Sequence, residues 1–83
     1  MGYGVEITKK AGKAWQALPA TSKRRIGEAM RALGDDPKPP GSKKLTNRNE
    51  WRIRVGDYRI LYRIDELDQL VTVVHVAHRK DAY

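Results

Sequence analysis

The sequence contains no cysteine among its 83 residues. Disulfides and cysteine-ligated metal sites are therefore excluded, and a cytoplasmic location is expected. The longest apolar run, residues 70–74, is interrupted by Thr72 and is far too short to span a membrane. No apolar segment follows Met1, so no secretory signal is predicted. A chain of this length predicts one domain, residues 1–83, in which helices and sheet share a single core.

Several catalytic patterns are also missing. No spacing of histidine, aspartate and glutamate resembles a metal site. No glycine pattern resembles a dinucleotide-binding loop or a P-loop, and no Ser-His-Asp arrangement stands out. The sequence therefore predicts no cofactor and no metal.

Acidic residues are in deficit, with 10 Asp and Glu against 17 Lys and Arg and a formal net charge of +7. Such a surface attracts polyanions and raises the rate at which it meets them. The charge indicates a nucleic acid or an acidic protein as partner. Solubility alone is the simpler interpretation, but the placement of the arginines favours a partner.

The most informative stretch is residues 51–63, where two alternating runs flank Gly56-Asp57, a pair suited to a two-residue hairpin turn. Side chains alternate across a sheet, so the turn sorts the hairpin into two faces. The apolar face comprises Trp51, Ile53, Val55, Tyr58, Ile60 and Tyr62. The other face, called the arginine face below, comprises Arg52, Arg54, Arg59 and Arg63 with Leu61 among them.

The arginine face sets Arg54 directly opposite Arg59. Like charges opposite each other on a ladder destabilise the pair, so both side chains stand in open water or hold an anion between them. Arginine presents a planar fork of donors that fits phosphate at two points. The hairpin therefore predicts a phosphate-binding surface on a packed sheet.

The remaining segments complete an α+β fold. Tyr3, Val5 and Ile7 alternate as a short first strand, and two helices follow. The first is capped by Thr8 and stopped by Pro19, and the second begins at Thr21 or Ser22 and ends before Gly34.

After the helices, residues 35–42 are a proline-rich loop, and residues 43–45 resume strand pairing. Residues 70–76 are nearly continuous in β-branched residues, which predicts a central strand covered on both faces. The predicted order is β-α-α-β-β-β, with two N-terminal helices packed on a small, mainly antiparallel sheet.

The arginines indicate chemistry on phosphate. RNA is cut without metal when its own 2′-hydroxyl attacks the adjacent phosphate, and a protein then supplies cations and proton-transfer groups. Arg54, Arg59 and Arg79 are the candidate cations, because Arg79 follows the last strand and is expected beside the hairpin. Arginine hardly deprotonates, so either another group transfers protons or positioning and charge drive the reaction. The proton-transfer candidates are Tyr83, His75 and His78.

Three segments together resemble the RelE branch of the RelE/ParE toxin superfamily. They are Lys44-Leu45, the stretch Trp-Arg-Ile-Arg-Val-Gly-Asp-Tyr-Arg-Ile-Leu-Tyr, and the closing Val-Ala-His-Arg-Lys-Asp-Ala-Tyr. The resemblance covers the whole chain in length and element order. It implies a compact α+β toxin that enters the ribosomal A site and cuts mRNA there without metal, leaving 2′,3′-cyclic phosphate and 5′-hydroxyl ends. It also implies a cognate acidic antitoxin and, through that antitoxin, contact with operator DNA, but no membrane.

The resemblance carries over residue by residue. Arg52 and Arg54 match two basic active-site positions of the family, where some members have lysine. Arg59, Arg79 and Tyr83 match two further arginines and the C-terminal tyrosine. Lysine can transfer protons whereas arginine mainly holds charge, so the acid and the base stay open. The expected catalytic residues are Arg54, Arg59, Arg79 and Tyr83. The expected phosphate or RNA contacts are Arg52, Lys44 and Lys80.

Two alternatives remain. A ParE-like toxin inhibits DNA gyrase and needs no nucleolytic residues, and a non-catalytic nucleic-acid or ribosome-binding module needs only the basic surface. The joint presence of Arg54, Arg59, Arg79 and Tyr83 favours RNA cleavage over both.

Overall fold

A computed structural model describes residues 2–46 and 48–81 of the chain. Its elements confirm the predicted α+β class, and a two-residue strand forms where residues 43–45 were expected to resume pairing. In chain order they are β1 (Gly4–Ile7), α1 (Lys9–Gln16), α2 (Ala20–Ala32), β2 (Lys43–Lys44), β3 (Trp51–Val55), β4 (Tyr58–Asp65), β5 (Leu70–His78) and a 3₁₀ turn (Arg79–Asp81).

The strands form one sheet in the order β1-β5-β4-β3-β2. Three of the four pairings are antiparallel, and β1 pairs with β5 in parallel. The chain therefore leaves β1, passes through both helices to β2 at the opposite edge, and builds the sheet inward until β5 pairs with β1. The predicted sheet, mainly antiparallel with helices preceding it, is confirmed.

The two helices begin differently. At α1 the Thr8 hydroxyl accepts the backbone N–H of Ala11 at 3.2 Å, which confirms the predicted cap. Helix α2 begins at Ala20, one or two residues earlier than predicted, with Pro19 at the N-cap and no side-chain cap. The carbonyl of Pro19 accepts the N–H of Lys23 at 2.8 Å, so the helix starts without a hydroxyl.

Gly34 lies just beyond the end of α2, as predicted, but not because the chain there needs the positive φ that glycine tolerates. Among the described glycines, only Gly41 and Gly56 have positive φ. The Gly34 carbonyl accepts the N–H of Tyr3 at 2.6 Å, and a Cβ on Gly34 would stand 2.9 Å from the Tyr3 carbonyl oxygen. A glycine is needed here because the strand entering β1 passes so close.

The core lies between the helices and one face of the sheet. It comprises Ala11, Ile26, Met30, Leu33, Ile53, Ile60, Tyr62, Val71, Val73 and Val76. Tyr62 is fully buried, and its hydroxyl donates to the Pro37 carbonyl at 2.7 Å, which ties the proline-rich loop to the sheet. Burial raises the pKa of Tyr62 to about 12, because the charged phenolate would lose its water.

The prediction for the last strand needs correction. Strand β5 lies between β1 and β4, as predicted for a central strand, but it runs two residues beyond Val76. The register shifts between Leu61 and Tyr62, which pair with His75 and Val73 and leave Val74 as an extra residue. A bulge of this kind breaks the alternation of side chains. The apolar run therefore looks continuous although helices cover only one face of the strand.

At the end of β4 opposite the hairpin, the turn before β5 is tied to two other segments. The Tyr3 hydroxyl donates to Glu66, and Lys38 Nζ lies 3.5 Å from Glu66 Oε2. The hydrogen bond from Tyr3 lowers the pKa of Glu66. No described helix is long and apolar enough to cross a membrane.

Candidate nucleic-acid interface

The hairpin turn has the predicted geometry and register. Gly56 adopts φ of 60°, whereas Asp57 keeps a negative φ, the pattern of a type II′ turn. The ladder pairs Arg54 with Arg59 and places Val55 opposite Tyr58. The opposition of two guanidinium groups beside a tight turn is therefore confirmed.

The chain brings Arg79 to the same place. Strand β5 ends at His78, which pairs with Tyr58 at the start of β4. The next residue, Arg79, donates its backbone N–H to the Asp57 carbonyl at 2.7 Å. Its Nε also lies 3.8 Å from Asp57 Oδ1, in an ion pair whose side chains are both more than half exposed. The turn thus holds Arg79 by backbone and side chain.

These residues surround a pocket of about 170 Å³, called the hairpin pocket below. Its lining residues are Arg54, Gly56, Asp57, Tyr58, Arg59 and Arg79. Three guanidinium-bearing residues from β3, β4 and the end of β5 meet here. An anion with several oxygens, such as a phosphodiester, has the charge and the acceptors for this set of donors.

Arg52 lies further along the same face. The register forms a row across four strands, Lys43, Arg52, Leu61 and His75. Leu61 is only 3% exposed although no helix covers this face, and long basic side chains are able to cover apolar surface with their stems. Arg52 Nε is itself inaccessible and has no hydrogen-bond partner among the described residues.

Two other predicted site residues, Lys44 and Lys80, do not line the hairpin pocket. Lys44 pairs with Trp51 and so lies on the helix-covered side, whereas Lys43 pairs with Arg52 and lies on the arginine face. The side chains of a strand alternate, and the register decides which lysine faces which way. Lys80 is exposed in the 3₁₀ turn after Arg79. Tyr83 lies outside the described residues, so its role stays a prediction.

The two histidines occupy different surroundings. The ring of His78 meets the edge of Tyr58 at a centroid distance of 5.2 Å, and its Nδ1 accepts the N–H of Lys80 at 3.1 Å. In the neutral ring the proton then lies on Nε2. His75 is half-buried on the arginine face opposite Leu61. Both therefore stay candidates for proton transfer.

Sequence reasoning treated Asp57 only as a turn residue, and the structure gives it a further role. Its carboxylate and carbonyl both engage Arg79, so it connects the hairpin to the end of β5. A signal was present, since this single acid stands between Arg54 and Arg59 in a strongly basic chain. Within residues 2–46 and 48–81, no three His, Cys, Asp or Glu side chains cluster as metal ligands.

Known proteins resemble this chain in sequence. A family model described as the ParE toxin of the type II toxin–antitoxin system parDE matches residues 5–83. The putative toxin RelE1 of Methanocaldococcus jannaschii is 28% identical over 87 residues, spanning 100% of this chain and 97% of that protein.

Two solved structures share the fold. In the RelE–RelB complex from Pyrococcus horikoshii, a chain with 32% identity matches with a TM-score of 0.85, covering 99% of this chain and 100% of that one. The RelBE2 toxin–antitoxin complex from Mycobacterium tuberculosis gives a TM-score of 0.85 at 29% identity, covering 95% and 100%. The match over residues 5–83 and the shared fold together show that this chain belongs to the RelE/ParE superfamily, the toxins of type II toxin–antitoxin systems.

Proposed function

We propose that the protein is a ribosome-dependent mRNA endonuclease that stops translation by cutting the message in the A site. One observation carries the proposal, namely that Arg54, Arg59 and Arg79 line a single pocket at the hairpin. The chemistry that best uses that arrangement is charge stabilisation at a phosphodiester.

The proposed reaction needs no metal. The 2′-oxygen of the RNA attacks the adjacent phosphorus and loses its proton, and the bond from phosphorus to the 5′-oxygen breaks. The products are a 2′,3′-cyclic phosphate and a 5′-hydroxyl, which takes up a proton. The three arginines stabilise the negative charge that develops on the phosphate oxygens. Arg52 and Lys80 are proposed to contact the RNA backbone on either side, whereas Lys44 lies on the opposite side of the sheet.

Proton transfer is the less defined part of this mechanism. Arginine is a poor base, and the carboxylate in the hairpin pocket, Asp57, is already paired with Arg79. Tyr83 is proposed to stack on a base or to take part in proton transfer, with His75 and His78 as the other candidates. A site that relies mainly on charge needs its substrate held in a reactive geometry by something else. That need supports the ribosome as the positioning partner.

The test compares one message in two states. Single-turnover cleavage is followed on ribosomes programmed with a defined codon in the A site and on the same RNA free in solution. We expect rapid cutting only on the ribosome, with cyclic phosphate and 5′-hydroxyl ends identified by end-group analysis. Equal cutting of free RNA contradicts ribosome dependence, and 3′-hydroxyl with 5′-phosphate ends contradicts the proposed chemistry.

Inhibition of DNA gyrase is the second candidate, because the matching family model is described as a ParE toxin. The two activities separate readily in purified systems. A gyrase inhibitor blocks DNA supercoiling and leaves translation running, whereas the proposed nuclease does the reverse. Inhibition of neither process, with retained RNA binding, would identify a non-catalytic binding module.

We also propose a cognate acidic antitoxin, since the two solved relatives named above are a RelE–RelB complex and a toxin–antitoxin complex. The surface offers a place for it, an apolar groove of about 320 Å³ between β1 and α2, lined by Val5, Ile7, Trp15 and Met30 beside Arg31. Val5 and Ile7 are more than one-third exposed, which is unusual for neighbouring β-branched residues. Strand β1 is also an edge of the sheet, with β5 on its other side.

The antitoxin is expected to place apolar side chains in this groove and carboxylates on the basic helix faces. Its affinity should fall as salt rises, because exposed charges are screened within about 8–10 Å at physiological ionic strength. A salt-insensitive complex would contradict this arrangement. Through its antitoxin the pair is proposed to contact operator DNA, and a ribosomal target places the toxin in the cytoplasm.

A further inference from the structure

Arg25 of α2 reaches the hairpin turn from the helix-covered side. A Cβ built on Gly56 would stand 3.5 Å from Nη1 and 3.7 Å from Nη2 of Arg25, so the guanidinium lies against the turn. Between them is a second pocket of about 170 Å³, called the helix-side pocket below. Its lining residues are Ser22, Arg25, Ile26, Val55, Gly56, Asp57 and Tyr58.

The helix-side pocket and the hairpin pocket are neighbours. They share Gly56, Asp57 and Tyr58, so the turn is the boundary between them. Gly56 has no side chain to separate the two pockets. Any side chain there would meet Arg25 and would be strained at a φ of 60°. The result is a basic surface that continues over the turn, with three arginines on one side and Arg25 on the other.

No ion pair within the described part of the fold accounts for the position of the Arg25 side chain. That side chain is exposed, and it makes no ion pair with any acid of residues 2–46 and 48–80. The carboxylate that lines the helix-side pocket with Arg25, Asp57, is paired with Arg79 instead. An unpaired guanidinium beside a pocket is a ready donor pair for an anion.

We propose that Arg25 binds a second phosphate of the RNA strand, the one next to the phosphate held in the hairpin pocket. This inference rests on the proposed function for the identity of the ligand. Arg25 would then be a positioning residue, which fixes the strand on both sides of the turn and so aligns the scissile linkage. Successive phosphates of one strand are the natural ligands for two contiguous cationic pockets.

An acidic peptide is the competing ligand, and the surroundings of Arg25 disfavour it. Protein partners gain most of their affinity from apolar or aromatic anchors in desolvated pockets. The helix-side pocket offers no such site, since Ile26 is fully buried in the core and the remaining lining is largely polar. The groove beside β1, lined by Val5, Ile7, Trp15 and Met30, has the apolar character that a protein partner needs.

The test measures how much one added phosphate raises the affinity for an RNA probe that cannot be cleaved. The probe is a dinucleotide whose linkage is protected by 2′-O-methylation, prepared without a terminal phosphate, with a 5′-phosphate and with a 3′-phosphate. Affinities for the full chain are measured by NMR titration at low salt. We expect one of the two terminal phosphates to raise the affinity of the wild-type protein about 3- to 5-fold, the upper range for an exposed ion pair.

The matched variants are Arg25→Ala and Arg24→Ala. Both remove one exposed arginine from α2, and Arg24 lines neither pocket. We expect Arg25→Ala to abolish the gain from the terminal phosphate, Arg24→Ala to retain it, and Arg25→Lys to retain part of it. With a longer single strand, Arg25→Ala should also reduce the slope of log K against log salt by ~0.7, the value for one phosphate contact.

The outcomes distinguish this inference from the proposed function. If the wild-type protein fails to cut ribosome-bound message yet shows the gain that depends on Arg25, the nuclease proposal fails and the second phosphate site stands. An equal gain in Arg25→Ala and Arg24→Ala overturns the second phosphate site, whether or not the protein cuts RNA. The second phosphate site is also overturned if Arg25→Ala weakens only the complex with an acidic antitoxin peptide.

Discussion

The two faces of the β3–β4 hairpin are built from alternate residues of the same strands, yet they meet opposite requirements. On the helix-covered face, Ile53, Ile60 and Tyr62 are 7%, 0% and 0% exposed and form part of the core. On the arginine face, Arg54 stands opposite Arg59 beside the hairpin pocket, where their charges repel. The helix-covered face stabilises the fold by excluding water, whereas like charges opposite each other on the arginine face destabilise it.

Stability and the proposed activity are therefore expected to be separable in this molecule at a spacing of one residue. Neighbours along a strand point to opposite sides of the sheet, so a core side chain and a site side chain share the same backbone. Packing of the covered face holds the strands rigid, and that rigidity positions the arginines. Substitutions on one face should therefore change the free energy of unfolding, and those on the other should change the rate of cleavage.

The largest expected effect is on the covered side, where α2 packs against the sheet. Leu33 is 1% exposed and Leu67 is 96% exposed, so the same substitution can be made in both environments. Leu33→Ala should lower the free energy of unfolding by about 2–5 kcal/mol, whereas Leu67→Ala should change it by less than about 0.5 kcal/mol. Urea denaturation measures both values. Similar costs at the two positions would mean that the helices do not pack as described.

On the arginine face the expected loss is in rate. Arg79→Ala removes a donor from the hairpin pocket and should reduce single-turnover cleavage ~10²–10³-fold, with a change in unfolding free energy within about 0.5 kcal/mol. Arg48→Ala is the control, because Arg48 is also an exposed arginine in an ion pair, at 3.6 Å to the largely buried Glu50, but lies away from the pocket. Loss of activity that tracks loss of fold in Arg79→Ala would contradict the separation of the two faces.

Alkaline pH provides a smaller effect specific to the covered face. The pKa of Tyr62 is raised to about 12 in the folded state, against 10.0 ordinarily, so the unfolded chain loses this proton first. The stabilisation is complete below pH 10 and is lost as pH rises toward 12, at about 1.4 kcal/mol per pH unit. Denaturation across this range should show a steeper decline in wild-type protein than in Tyr62→Phe.

At neutral pH, the stability of the Tyr62→Phe variant measures what the Tyr62 hydroxyl contributes before it ionises. It lacks the hydroxyl that donates to the Pro37 carbonyl, so it should be less stable by about 1 kcal/mol there. The difference between the two proteins should then shrink as pH rises above 10. Parallel declines would show that Tyr62 ionises without a shift in pKa.

The smallest effect should come from the charge opposition itself. Arg54→Gln removes the repulsion with Arg59 and should raise the free energy of unfolding by a few tenths of a kcal/mol at low salt, with the gain vanishing at high salt. Arg63→Gln is the opposite case, because Arg63 lies 3.4 Å from Glu50 and loses a favourable pair. Thermal unfolding at two salt concentrations compares them. A change of the same sign in both variants would refute the repulsion.

Sequence patterns predicted the hairpin more accurately than any other part of the fold. Gly56-Asp57 between two alternating runs is a local signal, because the turn sets the register of both strands. The pairing of Arg54 with Arg59 and the two faces followed directly, and both are confirmed. Thr8 at the start of α1 was equally local, since a cap involves residues only three apart.

Long-range features were predicted less well. The apolar run of β5 suggested two covered faces, but the bulge at Val74 and the position of the strand in the sheet depend on partners far along the chain. Lys44 was expected beside the arginines, and its pairing with Trp51 places it on the other side. In a strand of only two residues, nothing local distinguishes one register from its neighbour.

Composition and neighbours within a few residues were enough to predict the class of fold, the basic surface and the division of the hairpin into an apolar and a cationic face. Two contacts could be seen only in the folded molecule, namely that Asp57 holds Arg79 and that Arg25 reaches the same turn from α2. Those contacts join segments far apart in the chain, and they form only once the sheet and helices have packed around one core.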